Sequence, residues 1–379
     1  MKVFMNGKVL LPEGILKKTN ICIENGVIKD IRDEIFEDDE LIDAEGAIIS
    51  PGFVDIHVHG AGGSDFSDGS LKDIDVISEY LLKQGVTAFL GTTMSLSEEL
   101  LSAVVEVAAP VTGITRPGKA VLWGINMEGP FIAMSKKGGQ NGAYIRNSDY
   151  EMFLSLYKKS GNSIKLVDLA PELDGSIEFI RKAKELTRIS LAHTDADYDM
   201  AKKAFQAGAS HMTHLFNAMS PINHRNPGVI LAAAEDAEFV EIICDGNHLH
   251  PAVIRFVFRL FGKKRVCIVS DSMRACGLSD GEYELGGQIV HVHGDKATLM
   301  DGTLAGSTTS IAEGMRRAVS FGVPVEEALL AATYVPAKAA GLDHILGSIR
   351  PGNRADLILL DDHLNVQSIL LNGEIQQFS

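Results

Sequence analysis

Cysteine is scarce in this 379-residue chain, which contains only Cys22, Cys244, Cys267 and Cys276. Four scattered cysteines are too few to stabilise a protein of this size through disulfide bonds. None of them has the C-x-x-C spacing of a zinc or redox site. The N-terminal residues also lack the uninterrupted apolar stretch of a secretion signal. We therefore expect a cytoplasmic protein.

Long apolar runs and positive charge are also in short supply. No stretch approaches the roughly 18 consecutive apolar residues that a membrane helix needs, so we expect no membrane partner. The 35 Lys and Arg residues against 50 Asp and Glu residues give a formal net charge of −15. A surface this acidic repels phosphate backbones, so nucleic acid is not an expected partner either. What the chain does have is 45% hydrophobic residues, enough to bury a large core.

Both ends of the chain have the pattern of antiparallel β-structure. Short apolar runs are separated by Asn6-Gly7, Asn25-Gly26 and Asn372-Gly373, and Asn-Gly pairs favour tight hairpin turns. Because the two ends share this pattern, residues 1–50 and 347–379 are predicted to build one small, discontinuous β-sandwich domain.

Residues 51–346 are predicted to form a (β/α)8 TIM-like barrel. Eight apolar, strand-like runs alternate with helical segments, near residues 53–57, 87–91, 121–127, 164–170, 188–193, 210–214, 239–244 and 266–270. Such alternation is typical of a barrel whose chemistry lies at the carboxyl ends of its strands. A hairpin insertion is expected near residues 277–303, after the eighth strand.

Polar side chains follow six of these runs, including Asp245 and His248 after the seventh, and the chemistry of several of them suits a divalent metal. Glu128, His193 and His214 come from three different strand ends, where imidazole and carboxylate donors can converge on one point. His57 and His59 lie two residues apart, so both side chains lie on one side of an extended segment and could hold a second metal. Glu128 could then bridge the two.

Asp271 follows the eighth strand and is the candidate catalytic group. An ionised carboxylate only accepts protons, so it can take a proton from an attacking water and return it to a leaving amine. A metal assists this hydrolysis by lowering the pKa of water. The alternative role for Asp271 is a helix cap, but a cap does not explain its position at the barrel mouth.

Several motifs together resemble the N-acetylglucosamine-6-phosphate deacetylases of the amidohydrolase superfamily. The motifs are PGFVDIHVHG, NMEGPFI, KKGGQ, LAHTDAD, THLFNAMSPINHRNPG, CDGNHLHP, SDSM and GTLAGS, in matching order over nearly the whole chain. The resemblance implies that the (β/α)8 TIM-like barrel is of the metal-dependent hydrolase type, that Glu128, His193 and His214 hold the principal metal, and that Asp271 is the acid and base. It implies removal of acetate from N-acetyl-D-glucosamine 6-phosphate, in amino-sugar catabolism or cell-wall recycling.

The resemblance also implies a set of substrate-binding residues. Asn217, Ala218 and Arg225 are expected to hold the phosphate, and the others line the sugar: Gly139, Gln140, His248, Leu304, Ala305 and Gly306. The family is usually dimeric, so a homodimer is expected, in which Arg225 acts either in its own subunit or in the neighbour. A guanidinium binds phosphate bidentately, which fits this role.

The family varies at two features that bear on the metal. Some members lack the first H-x-H and use one metal, whereas this chain keeps His57 and His59. Some members carry His where this chain has Gln140, which can donate a hydrogen bond but cannot be positively charged. We expect one or two divalent cations per chain, of Zn, Fe, Mn or Co. A second cation would compensate for the neutral side chain of Gln140.

Three alternative functions remain open from the sequence. The same motifs fit an N-acetylgalactosamine-6-phosphate deacetylase, because the two sugars are epimers. A cyclic amide hydrolase, resembling hydantoinase or dihydroorotase, would need a modified Lys at the end of strand four, but Lys165 comes about five residues too early. A non-catalytic scaffold barrel would have little reason to keep a buried cluster of His, Glu and Asp.

Overall fold

The first seven strands are divided between two small sheets in this computed structural model, which describes residues 1–378. These strands are β1 (Lys2–Met5), β2 (Lys8–Leu11), β3 (Ile15–Lys18), β4 (Asn20–Glu24), β5 (Val27–Arg32), β6 (Glu40–Asp43) and β7 (Ile48–Pro51). One sheet has the order β5-β4-β1-β6, and β7, β2 and β3 lie side by side in the other. The turn at Asn25-Gly26 joins β4 to β5 as an antiparallel hairpin, which confirms that prediction.

The hairpin predicted at Asn6-Gly7 is wrong. β1 pairs with β4 and β6, whereas β2 pairs with β3 and β7, so this turn carries the chain from one sheet to the other. Gly7 packs against Ile49, where a Cβ atom would come within 2.6 Å of Cδ1. The turn residues allow a tight reversal, but packing between the two sheets decides which strands pair.

Eight parallel strands form the central barrel, and their order around it follows the chain. The strands of this region, including the short antiparallel pair β9 and β10, are β8 (Phe53–Val58), β9 (Gly60–Ala61), β10 (Ser64–Asp65), β11 (Val86–Thr93), β12 (Val121–Glu128), β13 (Ile164–Leu169), β14 (Arg188–Leu191), β15 (His211–Met212), β16 (Phe239–Ile243) and β17 (Val266–Val269). The backbone amide of Asp271 donates to the carbonyl of His57 at 3.0 Å, and that of His59 donates to Ser272 at 2.9 Å. These bonds connect the two ends of the sheet, and the predicted (β/α)8 fold is confirmed.

Helices surround the barrel and bury their apolar faces against it. They are α1 (Leu71–Lys83), α2 (Glu98–Ala108), α3 (Tyr150–Lys159), α4 (Ser176–Ala183), α5 (Tyr198–Ala207), α6 (Gly228–Asp236), α7 (Pro251–Phe261), α8 (Ile311–Ser320), α9 (Val325–Ala332) and α10 (Tyr334–Ala339). Short 3-10 helices span Phe66–Asp68, Ala109–Val111, Met134–Lys136 and Gly142–Tyr144. The helical conformation is interrupted at Thr333, between α9 and α10. Pro336 has no amide hydrogen, so it cannot make the backbone hydrogen bond that would continue α9.

The remaining strands complete the predicted insertion and the small β domain. They are β18 (Gly281–Leu285), β19 (Gln288–His293), β20 (Lys296–Thr298), β21 (Leu357–Leu360), β22 (Val366–Leu371) and β23 (Glu374–Ile375). β18 to β20 form an antiparallel sheet inserted after the barrel. β21 pairs with β7, and Asn372-Gly373 joins β22 to β23 as predicted.

Both ends of the chain therefore build the small β domain, as expected from the sequence. Its boundaries, at residues 50/51 and 346/347, stay a prediction. Among residues 1–378, no helix has the length and apolar character required to cross a membrane.

Candidate metal centre and active site

Three of the predicted site residues adopt an unusual backbone conformation directly after their strands. His193, His214 and Asp271 have φ values of 44°, 26° and 48°, in the left-handed region that favours glycine. Each residue follows the carboxyl end of a barrel strand, and all three are buried. Such strain costs free energy, and residues that keep it are concentrated at functional sites. The backbone thus turns these three side chains toward the barrel axis.

Glu128, the last residue of β12, lies between the two histidines. Its Oε1 is 3.1 Å from His193 Nε2 and 3.0 Å from His214 Nε2, and the two nitrogens are 3.1 Å apart. His193 Nδ1 lies 2.7 Å from the carbonyl oxygen of Lys136 and donates to it, because a carbonyl only accepts. In the neutral ring, Nε2 of His193 therefore carries the lone pair that a metal requires. These donor atoms fit one divalent cation.

His57 and His59 also lie close to the carboxylate of Glu128. His59 Nε2 lies 3.3 Å from Glu128 Oε2 and 3.4 Å from Asp271 Oδ1, and His57 Nε2 lies 3.6 Å from each of these two carboxylates. Among the described residues, no group is within hydrogen-bonding distance of His57 Nε2, although it is fully buried. A buried nitrogen without a partner is costly, and a second cation between these rings and Glu128 would satisfy it.

The charges of the cluster also favour a bound cation. Burial disfavours the charged form of Glu128, but His193, His214 and His59 outweigh burial and hold its pKa well below the usual range. Burial likewise disfavours a charged His59, yet Asp271 and Glu128 raise its pKa to about 10. The neighbouring carboxylates of Glu128 and Asp271 therefore require positive charge close to His59. A divalent cation can supply it in place of the added protons.

Above this cluster lies a cavity of about 570 Å³, and it contains most of the residues expected from the sequence. The predicted residues that line it are His59, Glu128, Gly139, Gln140, His193, His214, Asn217, Ala218, His248, Asp271, Leu304 and Gly306. Lining residues that we did not predict are Met94, Met134, Ser135, Lys136, Lys137, Gly138, Met219, Leu285, Asp301 and Thr303. The KKGGQ motif was the signal that could have pointed to Lys136 and Lys137.

Arg225 and Ala305 are the two predicted substrate residues that do not line this cavity. Arg225 lies on the exposed loop before α6, where its backbone amide donates to Asn223 at 2.9 Å. Ala305 is buried behind the cavity wall and packs next to Gly139. His57 also lies outside the lining, because it is buried beneath Glu128.

Neighbouring groups hold two side chains of the cavity in defined orientations. Gln140 Oε1 accepts from the Ser95 backbone amide at 2.7 Å, so the Gln140 side-chain NH2 group faces Glu128 and donates to it. His248 Nδ1 lies 2.6 Å from Asp245 Oδ2, and the same carboxylate accepts from the His248 backbone amide. His248 therefore points its other ring nitrogen away from Asp245.

Lys165 is the second residue of β13, whereas the strand ends at Leu169. The residue therefore lies at the opposite end of its strand from the cluster. This placement agrees with the expectation that no modified Lys bridges metals in this chain.

Comparison with known proteins identifies the family. Residues 48–376 match the sequence profile of the amidohydrolase family. The chain belongs to this family. The amidohydrolase is 40% identical to the N-acetylglucosamine-6-phosphate deacetylase of Bacillus subtilis. The alignment extends over 337 residues and covers 87% of this chain and 84% of the relative. It is 33% identical to the N-acetylgalactosamine-6-phosphate deacetylase of Escherichia coli O157:H7, over 98% of both chains.

Solved structures agree with this assignment. The crystal structure of N-acetylglucosamine-6-phosphate deacetylase from Pasteurella multocida matches the amidohydrolase with a TM-score of 0.93 and 32% identity, over 99% of each chain. A mutant of the corresponding Mycobacterium smegmatis deacetylase, solved in complex with N-acetyl-D-glucosamine-6-phosphate, matches with a TM-score of 0.91 and 29% identity, over 99% of this chain and 98% of the other.

Proposed function

We propose that this amidohydrolase removes the acetyl group from N-acetyl-D-glucosamine 6-phosphate and releases acetate and D-glucosamine 6-phosphate. The observation that carries the proposal is the convergence of Glu128, His193, His214 and Asp271 at the base of one cavity. This donor set suits hydrolysis of an amide. The proposed substrate is the one in the name of the Bacillus subtilis relative, which is 40% identical. Amino-sugar catabolism or cell-wall recycling would use this reaction.

Glu128, His193 and His214 would hold the principal cation, and His57 and His59 would share Glu128 in holding a second. Zn, Fe, Mn and Co all suit these imidazole and carboxylate donors. When bound, such a cation supplies Lewis acidity, which lowers the pKa of water toward 7 and polarises a carbonyl oxygen.

Asp271 moves the proton in the proposed reaction. Burial disfavours its charged form, but His59 and His57 outweigh burial and lower the pKa of the carboxyl group, so it starts as the base. Asp271 takes a proton from the attacking water while a new C–O bond forms at the acetyl carbon. It then gives this proton to the amine nitrogen as the C–N bond breaks.

Gln140 and the loop after β15 position the substrate. Gln140 is held by Ser95 with its NH2 group toward the cluster, where it can donate to the acetyl oxygen. Asn217 and Ala218 line the cavity and would bind phosphate together with Arg225. Because Arg225 lies outside its own cavity, we propose that the protein is a homodimer in which Arg225 reaches the phosphate of the neighbouring subunit.

Deacetylation of N-acetylgalactosamine 6-phosphate is the second candidate function. The Escherichia coli relative with that name aligns with 98% of this chain, although its identity of 33% is lower than that of the Bacillus subtilis relative. The two sugars differ only in the orientation of one hydroxyl group, so every proposed role of the metal ligands and Asp271 would be the same.

The decisive experiment is an acetate-release assay on protein whose metals have been counted. The substrates are N-acetylglucosamine 6-phosphate, its galactosamine epimer and unphosphorylated N-acetylglucosamine. We expect fast release from the first alone. Release from the epimer instead would support the second function, and no release from metal-loaded protein would refute both.

We also propose that the protein acts in the cytoplasm. All four cysteines, Cys22, Cys244, Cys267 and Cys276, are buried and free, as is usual for proteins of a reducing compartment. Oxidation of the folded protein with diamide, followed by a free-thiol count, tests whether they stay unpaired.

A further inference from the structure

A buried carboxylate lies directly beneath the second proposed cation position. Glu241 is the third residue of β16 and is fully buried. Its Oε2 lies 2.9 Å from His57 Nδ1, and its Oε1 lies 3.0 Å from His211 Nε2. The backbone amide of His214 also donates to Oε2, at 3.3 Å. One side chain therefore contacts both the ring of His57 and the backbone of His214.

This contact determines which nitrogen of His57 carries a proton. An ionised carboxylate has no proton to donate, so the hydrogen between Glu241 and His57 belongs to Nδ1. In the neutral ring the lone pair is then on Nε2. That atom is the one that lies 3.6 Å from both Glu128 Oε1 and Asp271 Oδ1 and has no hydrogen-bond partner among the described residues.

We infer that Glu241 is a positioning residue for the second cation: it orients the His57 ring and keeps Nε2 free to bind metal. The inference rests on the proposed function only in taking His57 and His59 as ligands of that cation. Metal-binding histidines commonly donate their other N–H to a carboxylate, and loss of that partner weakens metal binding by about 10- to 100-fold.

The surroundings of Glu241 argue against a purely structural role. β16 is otherwise apolar, with the sequence FVEII, and burying a carboxylate there costs free energy that an apolar residue would not. The contact with His211 holds the other carboxylate oxygen, Oε1, so Glu241 has little freedom to rotate. The arrangement thus fixes one ring orientation out of the two that His57 can adopt.

Asp168 in β13 offers a matched control for this carboxylate. It is also fully buried in the barrel, and burial together with nearby Glu241 raises its pKa well above the usual range. No hydrogen bond joins Asp168 to His57 or to another proposed ligand, although its carboxyl group is near enough to interact with the charges of His57 and Glu128. The change Asp168→Asn therefore alters a neighbouring buried carboxyl group without removing a hydrogen bond to His57.

The test is a titration of metal-free protein with Co²⁺, followed by visible absorption and by elemental analysis. Wild type should take up two Co²⁺ ions per chain, with separate changes in the spectrum. Glu241→Gln keeps the size of the side chain and should weaken the second ion about 10-fold, while Glu241→Leu removes the acceptor and should weaken it about 100-fold. The first ion should bind to both Glu241 variants nearly as it binds to wild type. Both ions should bind to Asp168→Asn nearly as they bind to wild type.

Three results would overturn the inference: wild-type affinity for both ions in Glu241→Gln, equal loss of the second ion in Asp168→Asn, or a single ion in wild type. If Glu241→Leu does not fold, as judged by circular dichroism, Glu241→Gln still decides the question. None of these results depends on turnover. Acetate release by the wild type tests the proposed function separately.

Discussion

Nε2 of His193 and Nε2 of His214 lie 3.1 Å apart, and both face the same oxygen of Glu128. Between two neutral rings, such a contact requires one nitrogen to donate and the other to accept. The carbonyl of Lys136 accepts a hydrogen bond from Nδ1 of His193, so Nε2 of the neutral His193 ring is the acceptor. A cation at this point would replace the proton on His214 Nε2 and bind one lone pair from each ring, which is the chemical reason to expect one.

Removal of the metal should abolish acetate release. Dialysis against a chelator such as dipicolinate should lower kcat by at least about 1,000-fold, because Lewis acidity contributes several kcal/mol to the transition state. The melting temperature should fall as well, since binding to the folded state alone stabilises it. Adding back Zn, Fe, Mn or Co should restore turnover. Full activity at less than one-tenth of a metal ion per chain would contradict the assignment of the site.

Asp271→Asn should keep the metal and lose turnover. The amide has nearly the same shape but cannot accept a proton, and general acid–base catalysis contributes about 10²- to 10⁴-fold. Elemental analysis and the KM for the substrate serve as controls, because both should stay near the wild-type values. A kcat close to that of wild type would refute the role of Asp271.

His57→Ala tests the relationship between the second cation and Gln140. The variant should retain one metal per chain and lose about 100-fold in kcat, because the neutral side chain of Gln140 cannot by itself replace the lost polarisation of the acetyl oxygen. Metal counting and steady-state kinetics on the same preparation check this expectation. If the variant holds one metal and retains full activity, the second cation has no catalytic role.

Arg225→Ala should weaken recognition of phosphate without impairing the chemical step. We expect KM for the phosphorylated sugar to rise about 10- to 100-fold, as expected for loss of charge-assisted hydrogen bonds. The kcat for the phosphorylated sugar should stay near the wild-type value. A KM near that of wild type would contradict the role of Arg225.

A mixed dimer tests whether Arg225 acts in the neighbouring subunit. Arg225→Ala and Asp271→Asn chains, carrying different tags, are coexpressed and the heterodimer is purified through both. If the site is shared, the chain that keeps Asp271 receives Arg225 from its partner, and one site per dimer should regain the wild-type KM. If each subunit uses its own Arg225, the heterodimer will keep the high KM of Arg225→Ala. A monomer at full activity would also exclude a shared site.

The three Asn-Gly turns show how far local sequence predicted the fold. Turns at Asn25-Gly26 and Asn372-Gly373 join paired strands, but Asn6-Gly7 connects strands of two different sheets. A turn determines only that the chain reverses there. The partner of each strand depends on which apolar face it buries, and that choice involves residues far away in sequence, such as Ile49 beneath Gly7.

The candidate site likewise contains features that the sequence predicted and features that it did not predict. Glu128, His193 and His214 could be found because barrel strands end at one edge, so residues at strand ends meet whatever their separation in sequence. The placement of Arg225 outside its own cavity could not be found, because a loop has no periodicity that fixes its direction. Glu241 was missed because it lies inside a strand, where the only signal was one charge among apolar residues.

The sequence by itself determined the barrel, the small β domain at both chain ends, and the kinds of side chain at the strand ends, because apolar periodicity and residue chemistry are local properties. Only the tertiary structure decided which ring nitrogens face one another, which carboxylate orients His57 and which residues line the cavity. These relationships depend on distances of about 3 Å between atoms from strands far apart in the chain. Such distances arise only when the barrel closes and brings those strands together.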